Sequence, residues 1–425
     1  MGEGIGYRIL MTAGGILLML LVDLYTYQAI RTASHASHRL VKNSTRGIFW
    51  LTSILSVFSL IWVVLIDISN EKLRQWLVIV LAILYFSKIL LLVFVVIDDI
   101  RRGILLANRF MKKRRLKETE LTDEDSLISR SEFLSRTAIV AGSVPLTGLS
   151  FGILTGAHNY KVRKQVIYLP HLPKAFDGIL LGQISDIHTG SLFNKTAIQG
   201  GVDLLMQEKP DVIFFTGDLV TIETKEAKDY VPLFEKLKAP MGVFSVTGNH
   251  DYGNYREWST PEAKRRNFED MLAVHKHLGY DLLMNEHRFL ETGGDKLAIL
   301  GVENWGVGPA HRFPKYGKLN LAYPGTEEAP VKILLSHDPT HWDAQIRPEY
   351  GDIDLTLSGH THGYQLGVNL GSYTWSPAQY RFKQWAGLYQ EGNQYLYVNR
   401  GFGCVGYPGR IGMPPELTLI QLKRS

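Results

Sequence analysis

Apolar positions are distributed unevenly along this 425-residue chain. Residues 1–157 contain long apolar runs, whereas residues 158–425 alternate short apolar runs with polar and charged segments. A helix needs about 20 apolar residues to cross the hydrocarbon core of a bilayer. Three runs meet this length: 9–30, 48–66 and 76–97. The pattern therefore predicts a transmembrane region over residues 1–157 and a separate domain over residues 158–425.

A fourth apolar run, 137–157, is less regular. It has no charged residue but contains Pro145 and four glycines, so it either crosses the membrane or lies against it. We favour crossing, because the basic segment before it is the flank expected on the cytoplasmic side. The segments after the first and third runs are the richest in Lys and Arg. They are therefore predicted to be cytoplasmic, which places the amino terminus and residues 158–425 on the outer, periplasmic or extracytoplasmic, face.

Two charged residues interrupt the first three apolar runs. Asp23 lies in the first run and Lys88 in the third, at comparable depths in spans that run in the same direction. Ionisable groups inside a membrane usually pair with one another or face a polar cavity. We therefore expect either an ion pair that fixes the packing of the two spans, or two separate polar cavities.

The pattern after residue 158 predicts an α/β domain. Strands are predicted at 162–169, 179–185, 212–216 and 242–247, and helices at 196–207, 225–237 and 261–278. Such an alternation predicts a parallel sheet with helices packed outside it. Short strands without intervening helices then follow, near 281–284, 287–291, 296–302, 331–335, 353–357, 396–399 and 417–422. The loss of helices halfway along the domain predicts a second sheet, packed on the first as a sandwich.

Polar side chains follow five of these strands, at the point where each strand ends. They are Asp186 and His188, Asp218, Asn249 with His250 and Asp251, His337, and His360 with His362. The carboxyl ends of strands in α/β sheets form the crevice where ligands bind, so we expect these side chains to meet there. Carboxylates, imidazoles and carboxamide oxygens suit divalent ions such as Mn²⁺, Fe²⁺ and Zn²⁺.

Two such ions, about 3.5–4 Å apart, can clamp the attacking and leaving oxygens of a phosphoryl group. That spacing requires a bridging carboxylate. Asp218 is the natural candidate, because it ends the strand that is predicted to lie next to the one carrying Asp186. The sequence thus predicts a membrane-tethered phosphoesterase with two metal ions.

The same residues resemble a known family. The set Asp186-x-His188, Gly217-Asp218, Gly248-Asn249-His250-Asp251, His337 and Gly359-His360-Thr361-His362 is similar to the calcineurin-like metallophosphoesterase superfamily. The ending Arg400-Gly401-Phe402-Gly403, with Arg410 and Pro415-Glu416, resembles a membrane-associated bacterial branch of phosphodiesterases. The resemblance covers about residues 160–425 and implies a four-layer α-β-β-α sandwich, which would follow the α-helical transmembrane region that the apolar runs predict.

The resemblance also implies roles for single residues. One metal would be held by Asp186, His188, Asp218 and His362, and the other by Asp218, Asn249, His337 and His360. His250 would contact the phosphate or protonate the leaving group, with Asp251 behind it to orient the imidazole and favour its charged form. One departure is Tyr364, where the family often has a second glycine after Gly363. Its phenol either narrows the pocket or faces solvent.

Function follows from these expectations. We expect hydrolysis of a phosphodiester, pyrophosphate or phosphomonoester, and a lipid-linked or envelope substrate, because an anchored enzyme gains most from a substrate in the same plane. The alternative is a non-catalytic membrane scaffold that retains a metal- and phosphate-binding fold. The aromatic and basic segment 373–389 would be either a membrane-interface belt or lipid-substrate rim, or a packed excursion between strands.

Composition adds two constraints. The net charge of +5 comes largely from residues 101–117, so it reflects membrane topology, and no nucleic-acid partner is expected. Cys404 is the only cysteine, which excludes an intramolecular disulfide and a cysteine-rich zinc site.

Overall fold

The structure is a computed structural model that describes residues 2–65, 71–115, 131–309, 315–370 and 373–425. The chain divides into two compact units, Met1–Ser150 and Phe151–Ser425.

Long helices make up the amino-terminal region. They are α1 (Gly2–Ala33), α2 (Arg39–Leu65), α3 (Glu71–Arg115) and α4 (Glu132–Leu154). Each contains a segment that is long and apolar enough to cross a membrane. The three predicted spans therefore lie in α1, α2 and α3, and most of the irregular run at 137–157 forms α4 despite Pro145.

The first three helices are joined by the predicted ion pair. Nζ of Lys88 lies 2.6 Å from Oδ1 of Asp23, and both residues are buried. The hydroxyl of Tyr85 donates to the other carboxylate oxygen of Asp23 at 2.9 Å, and Lys88 also donates to the hydroxyl of Ser53 in α2 at 3.1 Å. The two charges thus satisfy each other, as groups in hydrocarbon must. The paired alternative is confirmed.

Two six-stranded sheets form the second unit. The strands are β1 (Lys161–Leu169), β2 (Leu180–Ile184), β3 (Val212–Phe215), β4 (Val243–Ser245), β5 (Asp281–Leu282), β6 (Glu286–Thr292), β7 (Asp295–Gly301), β8 (Lys332–Leu335), β9 (Leu355–Ser358), β10 (Val368–Leu370), β11 (Tyr373–Trp375), β12 (Gly387–Glu391), β13 (Gln394–Val398) and β14 (Glu416–Arg424). The first sheet has the order β1-β14-β2-β3-β4-β5, and the second has the order β12-β13-β9-β8-β7-β6. Strands β10 and β11 form a separate antiparallel pair.

The two sheets pack face to face. Side chains of the first sheet, such as Leu181 and Phe214, share one buried cluster with Ile333 and Leu355 of the second sheet. Because successive side chains of a strand point to opposite faces, Phe215 lies in a different cluster, under helices α5 (Lys195–Gln207) and α7 (Pro261–Leu278). A third cluster covers the outer face of the second sheet and includes the buried Trp342 and Leu319 of short helical segments. The predicted four-layer sandwich is confirmed.

One predicted helix is wrong. The segment 225–237 forms a 3-10 helix, Thr224–Asp229, followed by the short helix α6, Val231–Phe234. Pro232 explains why a new helix begins here, since it has no N–H to donate to the preceding turn and is tolerated in the first turn of α6. The paired strands β10 and β11, and the edge strand β12, were not predicted.

Candidate metal centre

The predicted ligands gather at one edge of the sandwich. In the first sheet, β2, β3 and β4 are parallel neighbours, and they deliver Asp186 with His188, then Asp218, then Asn249 with His250. In the second sheet, the parallel neighbours β8 and β9 deliver His337 and then His360 with His362. Parallel strands present their carboxyl ends at the same edge, and the packing of the two sheets brings both edges together.

A first group of donors consists of Asp186, His188 and His362, all buried. Nε2 of His362 lies 3.2 Å from Oδ1 of Asp186 and 3.0 Å from Nε2 of His188. Two imidazole nitrogens that face each other beside a carboxylate oxygen are the arrangement that a divalent cation requires.

Asp218 lies between this group and a second one. Its Oδ2 is 3.5 Å from Nε2 of His188 and 3.1 Å from Nε2 of His337. Its Oδ1 accepts the backbone N–H of His250 at 2.8 Å, which fixes the carboxylate. One oxygen is therefore directed to both groups, as the predicted bridging role requires.

The second group contains Asp218, His337 and His360, with Asn249 beside them. Nδ1 of His360 lies 2.9 Å from Oδ1 of Asn249. Nδ1 of His337 lies 2.7 Å from the carbonyl of Thr216, an acceptor, so in the neutral ring Nδ1 carries the proton and Nε2 has the lone pair that a metal ion would use. That buried Nε2 makes no hydrogen bond with any residue that the structure describes, although Oδ2 of Asp218 is near.

The electrostatics around His337 favour positive charge, whereas burial lowers the pKa of His188, His360 and His362. Burial alone lowers the pKa of His337, but the carboxylates of Asp218 and Asp186 outweigh it and raise that pKa to about 10. Burial would also favour a neutral Asp218, yet His337 and His250 hold the pKa of that carboxyl well below its usual range. The centre thus stabilises a cation next to two ionised carboxylates, and its oxygen and nitrogen donors fit two divalent metal ions.

Most ligands have an unusual backbone conformation. Positive φ values, from 46° to 71°, occur at Asp186, His188, Asp218, His360 and His362. Residues other than glycine reach this region at a cost of about 1–3 kcal/mol each, which is typical of functional sites. Two glycines allow the close approach of the loops: a Cβ at Gly248 would collide with the Asp218 carboxylate, and one at Gly359 would collide with the Asp186 carboxylate.

His250 lies at the border of the two groups and is half-buried. Its Nδ1 lies 2.6 Å from the carbonyl of Thr221, and its ring stacks on Tyr255 with centroids 4.0 Å apart. It also offers a nitrogen close to donors of His188 and Asp218, so it could serve as a further ligand or contact a substrate.

The predicted contact between Asp251 and the His250 imidazole is wrong. The buried carboxylate of Asp251 accepts the backbone N–H groups of Gly248 at 2.8 Å, Asp218 at 3.0 Å and Leu219 at 2.8 Å. It therefore joins the loops that follow β3 and β4, and the carbonyl of Thr221 orients the imidazole instead. Burial and the nearby charge of Asp218 raise the pKa of Asp251 to about 7.

Three supporting residues were not predicted. The hydroxyl of Tyr255 accepts from Nδ2 of Asn249 at 2.6 Å. A carboxylate oxygen of Asp338, which we did not assign to the site, lies 3.7 Å from Nε2 of His360, while the other oxygen accepts from Thr340 in a turn. Such partners orient metal ligands and tune their basicity.

Arg410 is the third supporting residue. It is buried, and its guanidinium donates to the carbonyls of Gly401 and Gly403 and lies 3.3 Å from Nδ1 of His362. The sequence indicates Arg410 only through the resemblance to the family. Nothing in the sequence around Arg410 predicts its contact with His362.

Tyr364 lies beside the centre, also with positive φ. It is 46% exposed, and its ring is 6.1 Å from that of Phe382, which in turn is 5.6 Å from the ring of His360. One side of the phenol therefore faces solvent, and the other side packs near the ring of Phe382, which lies beside His360.

Two family models match the chain, and several curated proteins are similar to it. Residues 8–157 match the family described as a probable calcineurin-like phosphoesterase transmembrane domain, and residues 179–364 match the calcineurin-like phosphoesterase family. The uncharacterized metallophosphoesterase YkuE of Bacillus subtilis is 30% identical over 314 residues, which cover 70% of this chain and 99% of YkuE. A transmembrane protein with metallophosphoesterase domain from Danio rerio is 29% identical over 315 residues, covering 70% of this chain and 67% of that protein. Among solved structures, the sulfate thiohydrolase SoxB of Thermus thermophilus has a TM-score of 0.36 and 14% identity over 59% of this chain and 57% of SoxB.

The chain belongs to the calcineurin-like metallophosphoesterase family. It is a membrane protein of that family, and the described residues before the metallophosphoesterase domain contain four candidate transmembrane helices. Its Asp and His clusters could bind the divalent metals on which the family depends.

Proposed function

We propose that the second unit hydrolyses a phosphodiester, pyrophosphate or phosphomonoester bond with the aid of two divalent metal ions. The observation that carries the proposal is the position of Asp218, whose Oδ2 faces His188 of one donor group and His337 of the other. A shared carboxylate at that point is what a pair of closely spaced ions needs.

Each group of donors would hold one ion. Asp186, His188 and His362 would bind the first and Asn249, His337 and His360 the second, with Asp218 common to both. Mn²⁺, Fe²⁺ and Zn²⁺ all suit this mixture of carboxylate, imidazole and carboxamide donors. When bound, such ions neutralise charge on a phosphoryl group and lower the pKa of water, so that it can attack phosphorus.

His250 would contact the phosphate or act as a general acid. Because Nδ1 lies against the carbonyl of Thr221 and carries a hydrogen, Nε2 is the nitrogen that can contact a phosphate oxygen or protonate the leaving group. The stacked ring of Tyr255 limits rotation of the imidazole. Asp251 would act indirectly, by holding the loops that carry Asp218 and Asn249.

Hydrolysis of bis-(p-nitrophenyl) phosphate by the full-length protein, with added Mn²⁺, tests the proposal. Asp218→Asn should lower both metal content and rate, because a carboxamide bridges two cations poorly. His250→Ala should retain both metals and lower the rate by about 10²-fold or more, the usual contribution of a positioned acid or base. Exposed residues of the same types provide matched controls, Asp203→Asn and His277→Ala, which should leave both quantities unchanged.

The outcomes separate the alternatives. Hydrolysis that survives both site substitutions would place the chemistry elsewhere. Stoichiometric metal without hydrolysis of diester, pyrophosphate or monoester probes would favour the non-catalytic scaffold. Loss of a metal in His250→Ala would make His250 a ligand, in keeping with its nearness to His188 and Asp218.

The topology of the chain bears on the substrate. The positive-inside pattern supports an outer, periplasmic placement of the second unit, and the membrane anchor supports a lipid-linked or envelope phosphoester. Alkaline phosphatase fused after Tyr160 should be active if the placement is external, since that reporter needs an oxidising compartment. An inactive fusion at normal expression would put the domain in the cytoplasm.

A further inference from the structure

The paired strands β10 and β11 expose an unusual number of apolar side chains. Leu370 is 70% exposed, Tyr373 60% and Val368 40%, and Leu370 and Tyr373 are cross-strand partners in the hairpin. Residues 366–375 contain no charged residue. This apolar hairpin is a sheet of its own, outside the two large sheets. Exposed apolar surface of this kind usually marks a site of contact with another body.

The base of the apolar hairpin is connected to the end of α4. Leu366 bridges to Ile411, and the N–H of Gly367 donates to the carbonyl of Ile411 at 2.8 Å. On the other side, the N–H of Arg410 donates to the carbonyl of Gly152 at 3.0 Å. The packing at Gly152 is close: a Cβ there would collide with Ile411 and with the hydroxyl of Tyr407.

The segment 407–411 thus lies between the last turn of α4 and the apolar hairpin. Phe151 and Leu154 in that last turn are 62% and 73% exposed, as expected for a helix that ends at lipid. If α4 crosses the bilayer, as its apolar length allows, its carboxyl end lies at the level of the bilayer surface. The hairpin is one short segment away from that end.

We propose that the apolar hairpin inserts into the lipid interface beside α4. The composition of the hairpin and of the 3-10 helix after it, Pro377–Tyr380, fits this environment: Tyr373 and the 79% exposed Tyr380 are amphipathic, and the exposed Arg381 can meet anionic headgroups. Leu370 is the most exposed apolar side chain among the described residues of the hairpin. A short, weakly paired hairpin would also be unfavourable in water unless something covered it, and the bilayer that holds α4 is adjacent.

The inserted hairpin would bring the metal centre to the membrane surface. Tyr364, two residues after the proposed ligand His362, contacts the ring of Phe382, and that ring contacts His360. Leu366, at the base of the hairpin, follows Tyr364 by two residues. This part of the inference rests on the proposed function: a phosphoester in a lipid headgroup would reach the centre without leaving the bilayer plane.

A depth measurement on the full-length protein in proteoliposomes tests the insertion. The only cysteine, Cys404, is 3% exposed, so a new surface cysteine can be labelled selectively with an environment-sensitive NBD fluorophore. Leu370→Cys is the test position and Tyr380→Cys a second one. Leu321→Cys is the matched control, since Leu321 is 56% exposed in a short helix beside the far edge strand β6.

Label at Leu370→Cys should be blue-shifted and should lose most of its fluorescence to doxyl lipids. A doxyl group near the headgroup should quench more than one at the chain end, as for interfacial insertion. Label at Leu321→Cys should remain water-exposed and unquenched.

Equal, weak quenching at Leu370→Cys, Tyr380→Cys and Leu321→Cys would overturn the proposal, as would equal, strong quenching at all three. A blue-shifted but unquenched label at Leu370→Cys would also overturn it, because protein would then cover the hairpin. The measurement reads depth and not hydrolysis, so its outcome does not depend on the phosphoesterase activity.

Discussion

Tyr255 supports two parts of the metal centre, one through its hydroxyl and the other through its ring. Substitutions can separate these two contributions. Its hydroxyl accepts from Nδ2 of Asn249 at 2.6 Å, which fixes the amide so that Oδ1 faces His360. Its ring stacks on the His250 imidazole at 4.0 Å, with an interplanar angle of 11°. Tyr255→Phe removes only the hydroxyl, and Tyr255→Ala removes both contacts.

The magnitudes follow from these contacts. Loss of a partner that orients a metal ligand typically lowers metal affinity 10–100-fold, about 1.4–2.8 kcal/mol. Only one of the two proposed ions uses Asn249, so Tyr255→Phe should lose that ion and retain the other. An aromatic stacking pair contributes about 0.5–1.5 kcal/mol. Tyr255→Ala should therefore lose up to about a further tenfold in rate at saturating metal, through misplacement of His250.

Metal content after dialysis against graded chelator measures the first effect, and the rate at saturating metal measures the second. Tyr316→Phe, at a 44% exposed tyrosine outside the donor groups, is the control for removal of a hydroxyl. Binding of two ions by Tyr255→Phe as tightly as by the unmodified protein would show that the hydroxyl does not orient Asn249. Equal rates of the Phe and Ala variants at saturating metal would show that the stacked ring does not position His250.

Two further predictions concern stability. Substituting Ala for either Asp23 or Lys88 should destabilise the detergent-solubilised protein by about 3–5 kcal/mol, because the remaining charge stays buried. Exchange of the two charges should restore much of the thermal midpoint of unfolding. If it does not, the two residues are not energetically coupled. Burial lowers the pKa of His275 from 6.5 to about 4 in the folded protein, so stability is complete above pH 6.5 and falls as pH drops towards 4, by about 2 kcal/mol at about pH 5. His275→Gln, which can still bond Ser245, should flatten that part of the pH profile of urea unfolding, and an unchanged profile would assign the acid sensitivity to other groups.

The parts of this protein that were predictable are those with a local signal. Asp186 and Asp218 were identified because each directly follows an apolar strand, and strand order brings such ends together. The Asp23–Lys88 pair was one of the two arrangements that the sequence left open, because ionisable groups in lipid either pair or face a polar cavity. In each case the physical constraint acts within one or two neighbouring elements.

The parts that were missed depend on contacts between distant segments. Arg410 and His362 are 48 residues apart in the sequence, and no periodicity of the sequence predicts such a contact. Tyr255 lies in a loop after β4, where a single aromatic residue has many possible uses. Asp251 was expected to contact the His250 imidazole because the two residues are adjacent in sequence. Its carboxylate accepts hydrogen bonds from three backbone N–H groups instead.

The order of strands in the first sheet has a consequence for biosynthesis. The final strand, β14, lies between β1 and β2, and it pairs with β1 in register from Lys161 with Glu416 to Leu169 with Arg424. A nascent chain on the ribosome can therefore insert its apolar helices while this sheet still lacks an inner strand. Strands β1 and β2 cannot be joined until β14 has been translated, so a chain truncated before Glu416 leaves the loop after β2, which carries Asp186 and His188, without its neighbouring strand.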